Sequence, residues 1–354
     1  MNLRSMQAAS QSISEEKTKL KRNTEQQMLF RLLILERIPM KIVVLDGKAL
    51  ISDDLSYDAL KQFGDLTVYD TTEEKDIVSR IGDAEIVFAN KVPITEEILE
   101  LCPNIRYIGE MATGFNNIDI EACKKRNITV TNIPAYGTEA VAQHTIALLL
   151  ELTNHVGLHN ESIKKGEWSG SGKFSYWKKP LIELKDKKMG IIGLGRIGQR
   201  TALIASALGM EVSYHDSMKK EGVPYPYLSL EELLSSSDVI CLHCPLTSEN
   251  YHLINKETLS FMKPSALLIN ASRGPLIDGT ALAEALNEHM IAGAALDVTE
   301  KEPLEENDPL LTAENLILTP HIAWAAYESR KRLLDIGIDN LKQYLDGNTV
   351  NQVA

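Results

Sequence analysis

From Met40 onward the chain alternates short apolar runs with stretches of helical periodicity. Lys41–Leu45, Leu66–Tyr69, Glu85–Ala89, Ile105–Gly109 and Ile128–Thr131 are brief and largely apolar, as expected of strands covered on both faces. Tyr57–Phe63 and Thr95–Leu101 carry helical spacing between them. The pattern predicts a doubly wound α/β unit without a glycine fingerprint of its own. From about Thr138 to Gly157 the chain reads as one long helix. Its apolar positions Val141, Ile146, Leu149, Leu150 and Leu152 are denser than one buried face requires. That fits either a core helix or one that also supplies a dimer surface. Ser169–Gly172 reads as a loop. Strands are predicted again at Met189–Ile192, Glu211–His215, Val239–Leu242, Ala266–Asn270, Ala294–Val298 and Leu316–Thr319, before a last helix from about Glu328 to Leu345.

The turn between the first two strands of this second series is Gly193-Leu194-Gly195-Arg196-Ile197-Gly198. It follows a buried strand, opens an Ala- and Leu-rich helix, and is followed by a strand that ends in Asp216. Asp216 stands 18 residues beyond Gly198, close to the spacing of a carboxylate that binds a ribose. Gly193 permits the tight turn, Gly195 lets the backbone approach a pyrophosphate, and Gly198 lets helix and strand pack closely. The anion then meets free N–H groups at a helix N-terminus. From Met40 onward the chain is expected to form two doubly wound, Rossmann-like α/β domains with parallel sheets, and an active site in the cleft between them. Residues 40–137 with 326–354 would form a split substrate domain, and 138–325 the dinucleotide domain.

Length and composition narrow the function. A chain of 354 residues fits two domains. The net charge of −12, with no basic stripe, argues against nucleic-acid binding. No apolar run approaches the roughly 18 residues that span a bilayer. Four cysteines in a chain this long do not make a disulfide scaffold, so reduced thiols and a cytoplasmic location are expected. Cys241-Leu242-His243-Cys244 has no second Cys/His pair at ligand spacing. It is read as a strand end beside the cofactor, and no metal is expected. Residues 1–39 are polar and mildly basic, with an apolar stretch at Met28–Leu35 that Arg31 interrupts. No small-residue cleavage site follows, so the segment is read as an extension, expected to be poorly ordered.

Three charged residues follow successive strands of the second series: Arg273 in Asn270–Gly274, Glu302 in Asp297–Pro303 and His321 in Thr319–Ile322. In an open parallel sheet those strand ends face the ligand crevice. Singly, a loop arginine is usually a solvated charge and a loop histidine structural. Together they supply what hydride transfer to an α-keto acid requires. Arg273 can grip a carboxylate through paired N–H bonds and polarise the adjacent carbonyl. His321 can donate a proton to the developing alkoxide. Glu302 can hold the imidazole and favour its protonated form.

With these residues in place, Gly193–Gly198, Asn270–Gly274, Asp297–Pro303 and Thr319–Trp324 resemble the four signatures of the D-isomer-specific 2-hydroxyacid dehydrogenases, over essentially Met40 to Val350. The resemblance implies NAD as cofactor, a split-domain fold, a small 2-keto or 2-hydroxy acid as substrate, a homodimer and an Arg273–Glu302–His321 triad. It also implies cofactor contacts from Arg196, Ile197, Cys244, Pro245, Ala271, Ser272 and Asp297. Glu300 is a nearby competitor, but the family pattern sets the acid directly before the proline, which selects Glu302. The substrate loop is expected at Met111–Asn117, with Ala112, Thr113 and Gly114 meeting the substrate and Trp324 closing its side-chain end. Thr113–Asn117, Asn132–Gly137, Tyr176-Trp177 and His321–Trp324 are most similar to the glycerate dehydrogenase branch, which implies NADH-dependent reduction of hydroxypyruvate to D-glycerate. The alternatives are a broad glyoxylate/2-keto acid reductase and, from another class, an NAD-sensing transcriptional corepressor on the same fold. Thr299 departs from the pattern, standing where a large aromatic is common.

Overall fold

The computed structural model describes residues 39–52 and 54–354. The expectation for the amino-terminal extension lies, apart from Pro39, outside them. The chain divides into two compact units, one running up to Tyr136 and resuming at Arg330–Ala354, the other Gly137–Ser329.

Short apolar runs become parallel strands in the first unit, largely buried except at the edge strand Gly64–Val68. They are β1 (Met40–Val44), β2 (Gly64–Val68), β3 (Ile86–Ala89), β4 (Tyr107–Glu110) and β5 (Thr129–Thr131), in the order β2-β1-β3-β4-β5. Every adjacent pair is parallel. β3 and β4 are buried at every position, which is why their sequences show no polar alternation. Val43, Val87, Ile108 and Val130 from the strands pack with Ile77, Ile81, Leu99 and Cys123 from covering helices. Helix Glu96–Leu101 begins where the Thr95 hydroxyl accepts a hydrogen bond from the Ile98 amide. The helical run at Tyr57–Phe63 is tighter than read, a 3-10 helix at Asp58–Gln62. One feature was not legible: the last residues pair antiparallel with β5, the Val353 amide donating to the Val130 carbonyl at 2.8 Å.

The second unit contains β6 (Lys188–Ile192), β7 (Glu211–His215), β8 (Val239–Leu242), β9 (Leu267–Asn270), β10 (Gly293–Leu296) and β11 (Leu316–Leu318). Their order is β11-β10-β9-β8-β6-β7, all parallel. Apolar clusters cover both faces of this sheet. β6 lies between β7 and β8, so strand order reverses there, and the crevice at such a point opens at the carboxyl ends of the strands. Two readings need correction. The long helix stops at Asn154, because His155 turns left-handed (φ 49°) and its amide closes on the Glu151 carbonyl; a separate helix, Val156–Lys164, follows. The segment read as a loop at Ser169–Gly172 is mostly the short helix Glu167–Ser171, ended by Gly172 in the left-handed region.

Candidate active site

Each strand of the second sheet is followed within three residues by one singled out above: Gly193 after β6, Asp216 after β7, Cys244 after β8, Arg273 after β9, Asp297 after β10 and His321 after β11. After β6, Gly193 adopts φ 94°, and a Cβ there would lie 2.4 Å from the Cys244 amide nitrogen. Only glycine allows the turn and the close approach of the segment after β8. Gly195 is the contrary case: a Cβ there would meet nothing within 4 Å, and no side chain caps helix Arg196–Ala207, which it precedes. Arg196 is exposed, Ile197 half-buried and Gly198 buried in the first turn. An open glycine face in front of uncapped helix N–H groups fits a pyrophosphate. The residues present therefore fit a dinucleotide.

Asp216 stands directly after β7 and is half-buried. One carboxylate oxygen accepts the Leu194 amide at 2.9 Å and lies 3.2 Å from the Lys220 ammonium; the other accepts the Ser217 amide at 2.9 Å. Burial pushes its carboxyl up, but the Leu194 amide and Lys220 outweigh that and hold it below the usual range. Beyond β8, Cys244 is half-buried and Pro245 exposed, and the Asn250 side-chain amide donates to the Pro245 carbonyl at 2.7 Å.

Beyond β9, Asn270 shapes the next loop. Its Oδ1 accepts from the Ser272 amide (3.0 Å) and hydroxyl (2.9 Å), and its Nδ2 donates to the Arg273 carbonyl at 2.8 Å. Ala271 is buried beneath this turn and Arg273 is exposed at its tip. At Gly274 a Cβ would fall 1.9 Å from the Thr299 carbonyl oxygen, so the Arg273 loop and the loop bearing Glu302 are in backbone contact.

Glu302 and His321 meet. His321 Nδ1 lies 2.7 Å from Glu302 Oε2, and the other oxygen of Glu302 accepts the Thr299 amide at 3.2 Å. The two side chains are 37% and 33% exposed, open enough to meet a substrate. A carboxylate can only accept, so Nδ1 carries hydrogen and Nε2 is left to give or take a proton. Glu300, the competitor, is engaged elsewhere by Tyr251 and by His252 Nε2 at 3.1 Å.

Asp297 is 1% exposed at the end of β10, and it organises the His321 loop. Its carboxylate accepts from the Thr319 hydroxyl (2.6 Å) and from the amides of Ile322 (2.9 Å) and Ala323 (2.8 Å). His144 Nε2 lies 3.5 Å from the same group. Burial alone would raise this carboxyl, but His144, Thr319 and the two amides hold it below the usual range. The Trp324 indole N–H donates to the His321 carbonyl at 2.9 Å, and Trp324 packs with Ile197, Val141, Ala271 and Ala323. His144, Thr319 and Asn270 were not singled out in the sequence. An asparagine at a strand end before a small-residue turn was the one available signal, for Asn270.

In the first unit, the loop after β4 is pinned at its start by the segment after β5. The Ile133 amide donates to the Ala112 carbonyl at 2.9 Å, and the Asn132 side chain to the Thr113 carbonyl at 2.7 Å. Thr113 is exposed, and Ala112 and Gly114 are half-buried.

A family model described as the NAD-binding domain of the D-isomer specific 2-hydroxyacid dehydrogenases matches residues 146–323. A hydroxypyruvate reductase of Blautia hydrogenotrophica is 50% identical over 320 residues, which are 89% of this chain and 99% of that relative. A glycerate dehydrogenase of Methylorubrum extorquens is 36% identical over 315 residues, 88% of this chain and 98% of that relative. Among solved structures, D-lactate dehydrogenase from Aquifex aeolicus, complexed with NAD and lactic acid, aligns with a TM-score of 0.75 at 33% identity, covering 87% of this chain and 96% of that one.

Proposed function

The chain belongs to the D-isomer-specific 2-hydroxyacid dehydrogenase family, and from that premise we propose that it reduces hydroxypyruvate to D-glycerate with NADH, and runs the reverse oxidation, with His321 as the acid and base. It is an NAD-dependent reductase of small 2-keto acids. The observation that carries the assignment of roles is the 2.7 Å contact of His321 Nδ1 with Glu302, which leaves Nε2 for proton transfer.

Bound nicotinamide supplies the hydride. Arg273, exposed at the tip of its loop, pairs with the substrate carboxylate and draws electron density from the neighbouring carbonyl oxygen. His321 delivers a proton from Nε2 to that oxygen as charge develops on it, and Glu302 balances the imidazolium. In the oxidative direction His321 removes the proton from the hydroxyl. Gly193, Gly195, Arg196, Ile197 and Gly198 would hold the pyrophosphate, and Asp216 the ribose hydroxyls. Ala271, Ser272, Cys244, Pro245 and Asp297 would line the rest of the dinucleotide site. Asp297 also fixes the backbone that carries His321, through the Ile322 and Ala323 amides. Ala112, Thr113 and Gly114 would offer backbone groups to the substrate.

The working form is proposed to be a homodimer. Val156, Ile163, Trp168, Phe174 and Trp177 leave large apolar surfaces exposed on neighbouring segments of the second unit, Phe174 to 96%. Four free cysteines fit a reducing, cytoplasmic setting.

Replacing His321 tests the roles. His321→Ala is expected to lower the rate of hydroxypyruvate reduction by roughly 10²–10⁴-fold, with the Kd for NADH, read by fluorescence titration, nearly unchanged. Near-normal turnover would remove His321 from the chemistry.

A further inference from the structure

At the carboxyl ends of β1, β3 and β4 the first unit gathers polar groups that this chemistry does not use. Glu110, the last residue of β4, is 0% exposed. Its Oε2 accepts a hydrogen bond from Asn117 Nδ2 at 3.1 Å, and its Oε1 has no hydrogen-bond partner among the described residues. Asp46, just beyond β1 and 7% exposed, accepts the Asn90 amide at 3.0 Å and the Lys91 amide at 2.6 Å. Asn90, just beyond β3, donates Nδ2 to the Met111 carbonyl at 2.8 Å.

These contacts fix both ends of the loop Met111–Asn117. Its start is held by Asn90. Its end is held by Asn117, whose Nδ2 also donates to the Val92 carbonyl at 3.1 Å and whose carbonyl accepts the Ile94 amide at 2.8 Å. A buried carboxylate requires several donors, and Glu110 has one. Burial pushes the Glu110 carboxyl up to about 9; the Asn117 bond and the Lys91 cation oppose the rise, and the Asp46 carboxylate adds to it.

We propose that Glu110 is a positioning residue for keto-acid binding: as a neutral acid it holds Asn117, and through Asn117 the far end of the loop Met111–Asn117, in the form that receives the substrate. This rests on the reading of that loop as the substrate loop. Ionising Glu110 sets a second negative charge near Asp46, with Lys91 opposing. The Asn117 amide binds the ionised carboxylate as well as the neutral one, so the loosening comes from burial: a charge with one donor requires water, the loop end opens to admit it, and substrate binding weakens while dinucleotide binding does not.

The test is the KM for hydroxypyruvate from pH 6 to 10, on the full chain, for wild type, Glu110→Gln and Glu110→Val, with the Kd for NADH followed by fluorescence. Both proteins share the dependence on His321 protonation, so the difference between them reads Glu110: wild-type KM is expected to rise roughly tenfold more between pH 8 and 10 than that of Glu110→Gln, which cannot ionise. Glu110→Val, which loses the hold on Asn117, is expected to raise KM about tenfold at pH 7 with the NADH Kd within about twofold of wild type. Superposable KM profiles for wild type and Glu110→Gln overturn the proposal, as does a wild-type KM in Glu110→Val. Where Glu110→Val fails to fold, the Glu110→Gln profile decides alone. Gly114→Val separates the two readings. An unchanged KM there removes the substrate-loop assignment and the proposal with it. A raised KM with superposable wild-type and Glu110→Gln profiles removes only the role of Glu110.

Discussion

His321 owes its usefulness to what surrounds it. Glu302 fixes one ring nitrogen, Trp324 holds its carbonyl, and its own amide donates to the Asp297 carbonyl at 2.8 Å. Arg273 and His321 were singled out in the sequence as charged residues close after apolar strands, and Glu302 by the resemblance, which separates it from Glu300. His144 and Thr319 were not. They act on Asp297 through space, and neither carries a local signal beyond its residue type. Asp216 yields a prediction at this scale. Its carboxylate would repel a 2′-phosphate, although the Lys220 ammonium at 3.2 Å softens the repulsion. The protein is expected to bind NADH more tightly than NADPH, and Asp216→Ala to narrow the difference by roughly tenfold, about 1.4 kcal/mol. Fluorescence titration with both cofactors measures this; equal Kd values for the unmutated protein would contradict it.

Among elements, the strands were the most legible, because both faces of each sheet are covered and the runs read as continuously apolar. The break at His155 was less visible, since apolar residues continue across it at Val156 and Leu158. The carboxyl-terminal bridge to β5 was hidden by its brevity: a single paired position, Gln352 opposite Thr131, shows no period. The connection from β10 to the His321 loop runs through Asp297, and this gives a stability prediction. Asp297→Ala leaves two amides, that of Ala323 buried, and a hydroxyl without their acceptor and should cost roughly 2–4 kcal/mol in urea unfolding at pH 7. The folded carboxyl titrates below its unfolded value, so its contribution is fully present above about pH 4 and is lost as pH falls through the depressed folded value. The gap between wild type and Asp297→Asn should therefore shrink toward pH 2–3. A gap that does not change with pH would show that the charge of Asp297 is not what holds the loop.

At the scale of the whole molecule, the order of strand and helix patterns sets the last helix with the first unit from residue 326, and the first compact unit resumes at Arg330. The proposed assembly draws on a different surface from the helix whose apolar surplus suggested it: Val141, Ile146, Leu149 and Leu152 of that helix are buried, and the exposed side chains lie beyond it, at Trp168, Phe174 and Trp177. Sedimentation equilibrium is expected to give twice the 39.3 kDa chain mass at micromolar concentration, and Phe174→Asp with Trp177→Asp to shift it toward the monomer. A monomeric wild type would contradict the dimer. The central claim, that this chain is a D-glycerate-forming hydroxypyruvate reductase, is tested most directly by kcat/KM with NADH for hydroxypyruvate, glyoxylate and pyruvate, with the configuration of the product determined. A site built around the 3-hydroxyl leaves a polar group unpaired when that hydroxyl is missing. The expected result is a value for hydroxypyruvate at least about tenfold above that for pyruvate, with glyoxylate accepted more poorly than hydroxypyruvate and D-glycerate as the product. Pyruvate reduced as efficiently as hydroxypyruvate, or L-glycerate as the product, would contradict the account.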